Sequence, residues 1–102
     1  MAEWTLVCAL EDIPVLGARV FRTACEDISV FRNDCDEVFA LHDKCPHRGG
    51  PLSQGIVHGR SVTCPLHNWK IDLTSGDALA PDVGCARAFR VKVENGAVLL
   101  AL

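Results

Sequence analysis

Cys45-Pro46-His47-Arg48-Gly49-Gly50-Pro51-Leu52 and, with sixteen residues between His47 and Cys64, Cys64-Pro65-Leu66-His67-Asn68-Trp69 decide how the rest of the chain is read. Each segment offers one thiol and one imidazole. Cys-x-His followed by Cys-x-x-His is a four-ligand set divided between two short loops, at about 43–55 and 62–70. Such a set can hold a [2Fe–2S] cluster in which Cys45 and Cys64 bind one iron and His47 and His67 the other. It can also hold a structural zinc ion. Zinc sites more often show Cys-x₂₋₄-Cys or His-x₃₋₅-His pairs, so the spacing favours the cluster and leaves zinc as the alternative. Pro46 and Pro65 follow the two cysteines and stiffen the turns by fixing φ. Gly49, Gly50 and Pro51 let the chain fold back closely beneath a bulky inorganic group.

On both sides of these loops the chain reads as short strands. Trp4–Leu10 is a first strand, ended by a turn at Glu11–Pro14. Gly17–Thr23 alternates apolar and charged residues, and Ile28–Arg32 and Val38–His42 flank a polar turn at Asn33–Glu37. A hairpin over Ile56–Thr63 turns at His58-Gly59 and delivers Cys64. Trp69–Leu73 alternates again, Thr74–Asp77 is a turn, and Ala80–Gly84 is a longer loop. Phe89–Glu94 reads as one strand, joined to Ala97–Leu102 through Asn95-Gly96, a strong hairpin signal. No segment keeps a helical period. The expected fold class is all-β, a sandwich or barrel, in a single domain over 1–102.

Composition sets the outer bounds. A chain of 102 residues with 49% hydrophobic content can bury a core. A net charge of −3 argues against nucleic acid or an anionic membrane as partner. The start, Met1-Ala2-Glu3-Trp4, lacks the basic segment and apolar run of a signal peptide, and no apolar stretch has spanning length. A cytoplasmic protein is expected. Cys8, Cys25, Cys35 and Cys85 lie outside the ligand set with no Cys-x-x-Cys spacing, and are expected to be small reduced residues, some of them buried. His42 reads as structural from its place in a strand, and His58 as a solvated turn residue.

Cys45-Pro46-His47 with Cys64-Pro65-Leu66-His67 resembles the Rieske [2Fe–2S] domain along essentially the whole chain. The resemblance implies a β-sandwich or barrel with a small subdomain whose two loops clasp the cluster at one tip. His67-Asn68-Trp69 and Ala80-Pro81-Asp82-Val83-Gly84-Cys85 are most similar to the small subunits of assimilatory NAD(P)H nitrite reductases. In that family the partner is a large subunit with flavin and sirohaem that reduces nitrite to ammonium, so no substrate chemistry is expected on this chain alone. The same domain also serves as a stand-alone ferredoxin between a flavin reductase and a ring-hydroxylating dioxygenase, and this is the alternative.

Two departures from respiratory Rieske proteins are informative. Their extra cysteine pair is matched here by Gly50 and Leu66, so a disulfide between the loops cannot form. Their Ser and Tyr donors to the cluster sulfurs are matched by Trp69 and Ile71, which carry no hydroxyl. Fewer donors imply a reduction potential near the low end of the Rieske range. The chain has no GxGxxG motif and no nucleophile constellation, so one-electron transfer is the expected role. Arg48, Pro51, Asn68 and Trp69 are expected to rim the docking face around His47 and His67, with Trp69 an equal candidate for the core.

Overall fold

The computed structural model describes residues 4–23, 26–44, 51–65, 69–79 and 84–101. Among the described residues, ten strands form three antiparallel sheets. The terminal sheet has the order β1-β10-β9, with β1 Trp4–Ala9, β9 Val91–Glu94 and β10 Ala97–Ala101. The central sheet has the order β2-β3-β4-β8, with β2 Gly17–Arg22, β3 Asp27–Arg32, β4 Val38–His42 and β8 Ala88–Phe89. A small sheet, β5-β6-β7, is built from Ile56–His58, Ser61–Thr63 and Lys70–Asp72. Among the described residues the only helical pieces are 3₁₀ turns at Leu10–Asp12 and Leu52–Gln54, and no helix is long and apolar enough to cross a membrane. The all-β expectation holds.

Side-chain alternation explains the layering. Ile28 and Val30 of β3 point to one side of the central sheet, where they pack with Ile13, Ala40, Val98 and Leu100 beneath the terminal sheet. Phe31 of β3 and Leu41 of β4 point to the other side and pack with Leu52, Val57, Val62, Ile71 and Leu73 under the small sheet. Strands buried on both faces read as nearly continuous apolar runs, and Ile28-Ser29-Val30-Phe31 and Val38-Phe39-Ala40-Leu41 are such runs. Ser29 is fully buried, and its hydroxyl donates to the Leu41 carbonyl at 3.0 Å. That bond meets the cost of putting a hydroxyl in an apolar layer.

One expectation needs correction. Phe89–Glu94 is not a single strand. Ala88–Phe89 pairs with Leu41 and Ala40 in the central sheet, whereas Val91–Glu94 pairs with β10 in the terminal sheet. The chain changes sheets at Arg90, whose carbonyl accepts from the Ala101 N–H at 3.0 Å. Apolar alternation continues through the crossing because it records which face is buried and not which strand is the neighbour. The closing hairpin is as expected. Asn95 and Gly96 both have positive φ, 51° and 78°, as the tight two-residue turn requires.

The small sheet is fastened to the central sheet through a buried amide. Asn33 is 1% exposed. Its Oδ1 accepts from the N–H groups of Cys35 (3.0 Å) and Glu37 (2.9 Å). Its Nδ2 donates to Glu37 Oε1 (3.0 Å) and to the Gly59 carbonyl at the tip of the β5–β6 hairpin (3.0 Å). Arg60, beside that tip, pairs with Glu37 at 2.8 Å. The far end of the small sheet is therefore pinned to the β3–β4 turn.

Candidate metal centre

Two loops that carry the sequence-predicted ligands leave at the other end of the small sheet. The first leaves β4 after His42 and returns in the 3₁₀ turn Leu52–Gln54. The second leaves β6 after Thr63 and returns to β7 at Lys70. Of the four sequence-predicted ligands, Cys64 is described. Cys45, His47 and His67 lie outside the described residues, as do Arg48, Asn68 and Cys25. Cys64 is fully buried and belongs to the core layer of Leu52, Val57, Val62 and Ile71. Among the described residues no three His, Cys, Asp or Glu side chains are close enough to hold a metal ion.

The bases of the loops are closed by hydrogen bonds. Cys64 N–H donates to the Trp69 carbonyl at 2.7 Å, which shuts the second loop on itself. The Asp43 carboxylate shuts the first. Its Oδ1 accepts from the Ser53 N–H at 2.7 Å, and its Oδ2 from the Ser53 hydroxyl at 2.9 Å. Gly55 follows at the exit. A Cβ there would collide with the Thr63 carbonyl oxygen and crowd Val62 Cγ2, so only glycine lets the first loop lie this close to the strand that delivers Cys64. A third loop is closed beside the second, because Leu79 N–H donates to the Lys70 carbonyl and Ala78 N–H to the Gly84 carbonyl, both at 2.8 Å. Of its Ala80–Cys85 stretch, Gly84 and Cys85 are described.

Trp69 resolves towards the core. It is half-buried and packs against the layer that contains Cys64, while its carbonyl closes the loop. Pro51, of the expected rim, is exposed. Sequence reasoning passed over Asp43 and Ser53, and also Ile56 and Leu79, apolar side chains 70% and 38% exposed at the bases of these loops. The signal for the first pair was available: a carboxylate two positions before the first ligand and a hydroxyl two positions after the loop's closing proline. Lys44 and Lys70 are exposed beside the two loops, and neither is in an ion pair among the described residues.

The spare thiols that are described, Cys8, Cys35 and Cys85, are free, as expected. Cys35 and Cys85 are exposed and Cys8 is only half-buried, because Cys35 lies in the β3–β4 turn and Cys85 at the end of the third loop. Burial pushes the Cys8 thiol up, with Arg19 acting in the opposite direction. His42 is half-buried at the end of β4, with its N–H bonded to the Arg87 carbonyl at 2.8 Å. The exposed His58 ring lies 2.8 Å from the Thr63 hydroxyl.

An all-β chain with two Cys/His loops closed at one end of a small sheet defines a class of iron–sulfur protein. The chain belongs to the Rieske [2Fe-2S] domain family, whose model matches residues 3–90; it is a Rieske electron-transfer protein, and the cofactor is a Rieske-type [2Fe–2S] cluster. It is 38% identical over 103 residues to the anthranilate 1,2-dioxygenase ferredoxin subunit of Burkholderia cepacia, covering 96% of this chain and 91% of that one. It is 39% identical over 71 residues to a 4beta-methylsterol monooxygenase of Methylococcus capsulatus, of which it spans only 16%. Among solved structures, the ferredoxin of carbazole 1,9a-dioxygenase from Nocardioides aromaticivorans superposes with a TM-score of 0.87 at 26% identity, over 98% of both chains. A complex of reduced oxygenase and oxidized ferredoxin in carbazole 1,9a-dioxygenase matches at 0.84 and 28%, over 96% of this chain and 92% of that one. A putative NADH-dependent nitrite reductase small subunit from Mycobacterium tuberculosis matches at 0.90 over 100% of this chain and 96% of that one; at 22% identity it shows the shared fold.

Proposed function

We propose that this chain is a one-electron carrier that delivers electrons from a flavin reductase to the terminal oxygenase of a ring-hydroxylating dioxygenase. The observation that carries this reading is the nearly end-to-end likeness, at 38% identity, to a dioxygenase ferredoxin subunit. In this reading Cys45 and Cys64 hold one iron, and His47 and His67 hold the other. When bound, the cluster takes up and gives back a single electron. The chain's own residues supply the mounting. The core around Cys64 keeps water from the thiolate side, the Cys64–Trp69 and Asp43–Ser53 bonds fix the loop bases, and the exposed Pro51, Ile56 and Leu79 give the loop end apolar surface for transient docking. The free thiols of Cys35 and Cys85 at the surface suit a reducing cytoplasm.

A second reading makes the chain the small subunit of NAD(P)H nitrite reductase, serving nitrate assimilation beside a large flavin- and sirohaem-containing subunit. It draws on His67-Asn68-Trp69 and on Ala80 to Cys85. The two readings predict different partners. Stopped-flow mixing of the reduced holoprotein with a dioxygenase oxygenase component should give rapid oxidation and weak, salt-sensitive association. Stable co-purification with a sirohaem protein, with no electron transfer to the oxygenase, would instead establish the second.

A further inference from the structure

Asp43 stands two positions before Cys45, and Ser53 two positions after Pro51, so these residues are the posts on either side of the first loop. The Asp43 carboxylate takes both hydrogens that Ser53 can offer, at 2.7 Å from the N–H and 2.9 Å from the hydroxyl. Charge-assisted bonds of this two-point kind combine strength with fixed direction. Neither post is free to follow the loop. Asp43 N–H donates to the Asp27 carbonyl at 2.9 Å, which fixes it to the end of β3. Ser53 lies in the 3₁₀ turn whose Leu52 is fully buried in the core layer shared with Cys64. Among the described residues no cation pairs with the Asp43 carboxylate, so its bonding is committed to Ser53.

We propose that Asp43 is a positioning residue for the cluster. By clamping both hydrogens of Ser53 it holds the neck of the 45–50 loop at one width, and so sets how firmly Cys45 and His47, one on each iron, retain the cluster. The proposal rests on the reading that those two residues are ligands. Cys45→Ser tests that reading separately: a variant that keeps its iron and Rieske EPR signal overturns the ligand assignment, whatever Asp43 does.

The experiment compares holoprotein of wild type, Asp43→Ala, Asp43→Asn and Ser53→Ala. It measures iron release to a chelator, midpoint potential, exchange of the Ser53 amide and the thermal midpoint. Val98→Ala, in the core beneath the terminal sheet, controls for general destabilisation. Asp43→Ala should lose Ser53 amide protection and release iron at least about tenfold faster, the scale of a lost charged hydrogen bond. Ser53→Ala keeps the N–H bond and should fall between it and wild type, and Asp43→Asn should recover part of the loss. If Asp43→Ala does not fold, the other two variants carry the comparison. Wild-type release from variants that have lost amide protection would overturn the proposal. So would equal release from an equally destabilised Val98→Ala. A potential raised alike in both Asp43 variants, with release unchanged and Ser53→Ala silent, would mean that the carboxylate acts by charge alone and would also overturn it.

Discussion

The N–H of Cys64 donates to the carbonyl of Trp69 at 2.7 Å, so the second loop is closed by the backbone of the residue that carries the thiol. The Cys64 side chain lies in the core layer. The loop end and the apolar interior are thus one continuous piece of packing at this residue.

Replacing Cys64 by Ser should therefore act twice. The hydroxyl is a poor iron ligand and is placed where an unpartnered polar group costs about 1–3 kcal/mol. Purified Cys64→Ser should be colourless and iron-poor, with a urea midpoint below that of the wild-type apoprotein. Iron and sulfide analysis with low-temperature EPR checks the first effect, and urea unfolding the second. Full iron content with an unchanged rhombic signal would remove Cys64 from the ligand set.

The reduction potential should lie near the low end of the Rieske range, about −150 mV. Ile71 occupies the position where high-potential members carry a hydroxyl, and it is fully buried, so no donor can enter there without repacking the core. An EPR-monitored redox titration decides this. A midpoint near +300 mV would mean that other donors replace the missing hydroxyls.

Asn33→Ala should cost about 1–3 kcal/mol, because it removes a fully buried amide and with it the partner of the part-buried Gly59 carbonyl and of two turn N–H groups. The loss should appear in equilibrium unfolding. It should also appear as faster exchange of amides in the β5–β6 hairpin, whose tip this amide holds. A loss below about 0.5 kcal/mol would show that water replaces the amide at no cost.

Acid should weaken the same junction. The Asn33 amide, and after it Arg60, hold the Glu37 carboxyl below the usual glutamate range. A carboxyl depressed in the folded state adds stability that is fully present above its unfolded value, about 4.3. That stability is lost as pH falls through the lower folded value. Glu37→Gln should therefore show a shallower fall in thermal midpoint below that pH than wild type, with parallel curves at neutral pH. Parallel curves throughout would dissociate Glu37 from acid unfolding.

Much of this was legible in sequence because the strands are short and bounded by turn residues. Asn95-Gly96 specified its hairpin, and Gly17 to Arg22 read as a half-buried strand, as β2 is. The ligand set was read from spacing and residue chemistry, of which the structure describes the burial of Cys64. What stayed hidden depends on neighbours. Arg90 gives no local sign of the sheet change, since β8 and β9 keep one alternation while exchanging partners. Trp69 alternates like a core residue and sits in a loop motif, and only packing reveals that its ring and its carbonyl do different things. Asp43 looks like any acidic residue before a loop until Ser53 is seen across the neck.

The central sheet, covered on both faces, has a thermodynamic consequence. β3 and β4 give alternate side chains to two separate apolar layers, so stripping either layer exposes the backs of strands that the other layer needs. The two halves of the molecule therefore cannot melt independently. Heat denaturation should appear in a calorimeter as a single peak with equal calorimetric and van't Hoff enthalpies. Loading the cluster should move that whole peak upwards, including the signal from the terminal sheet.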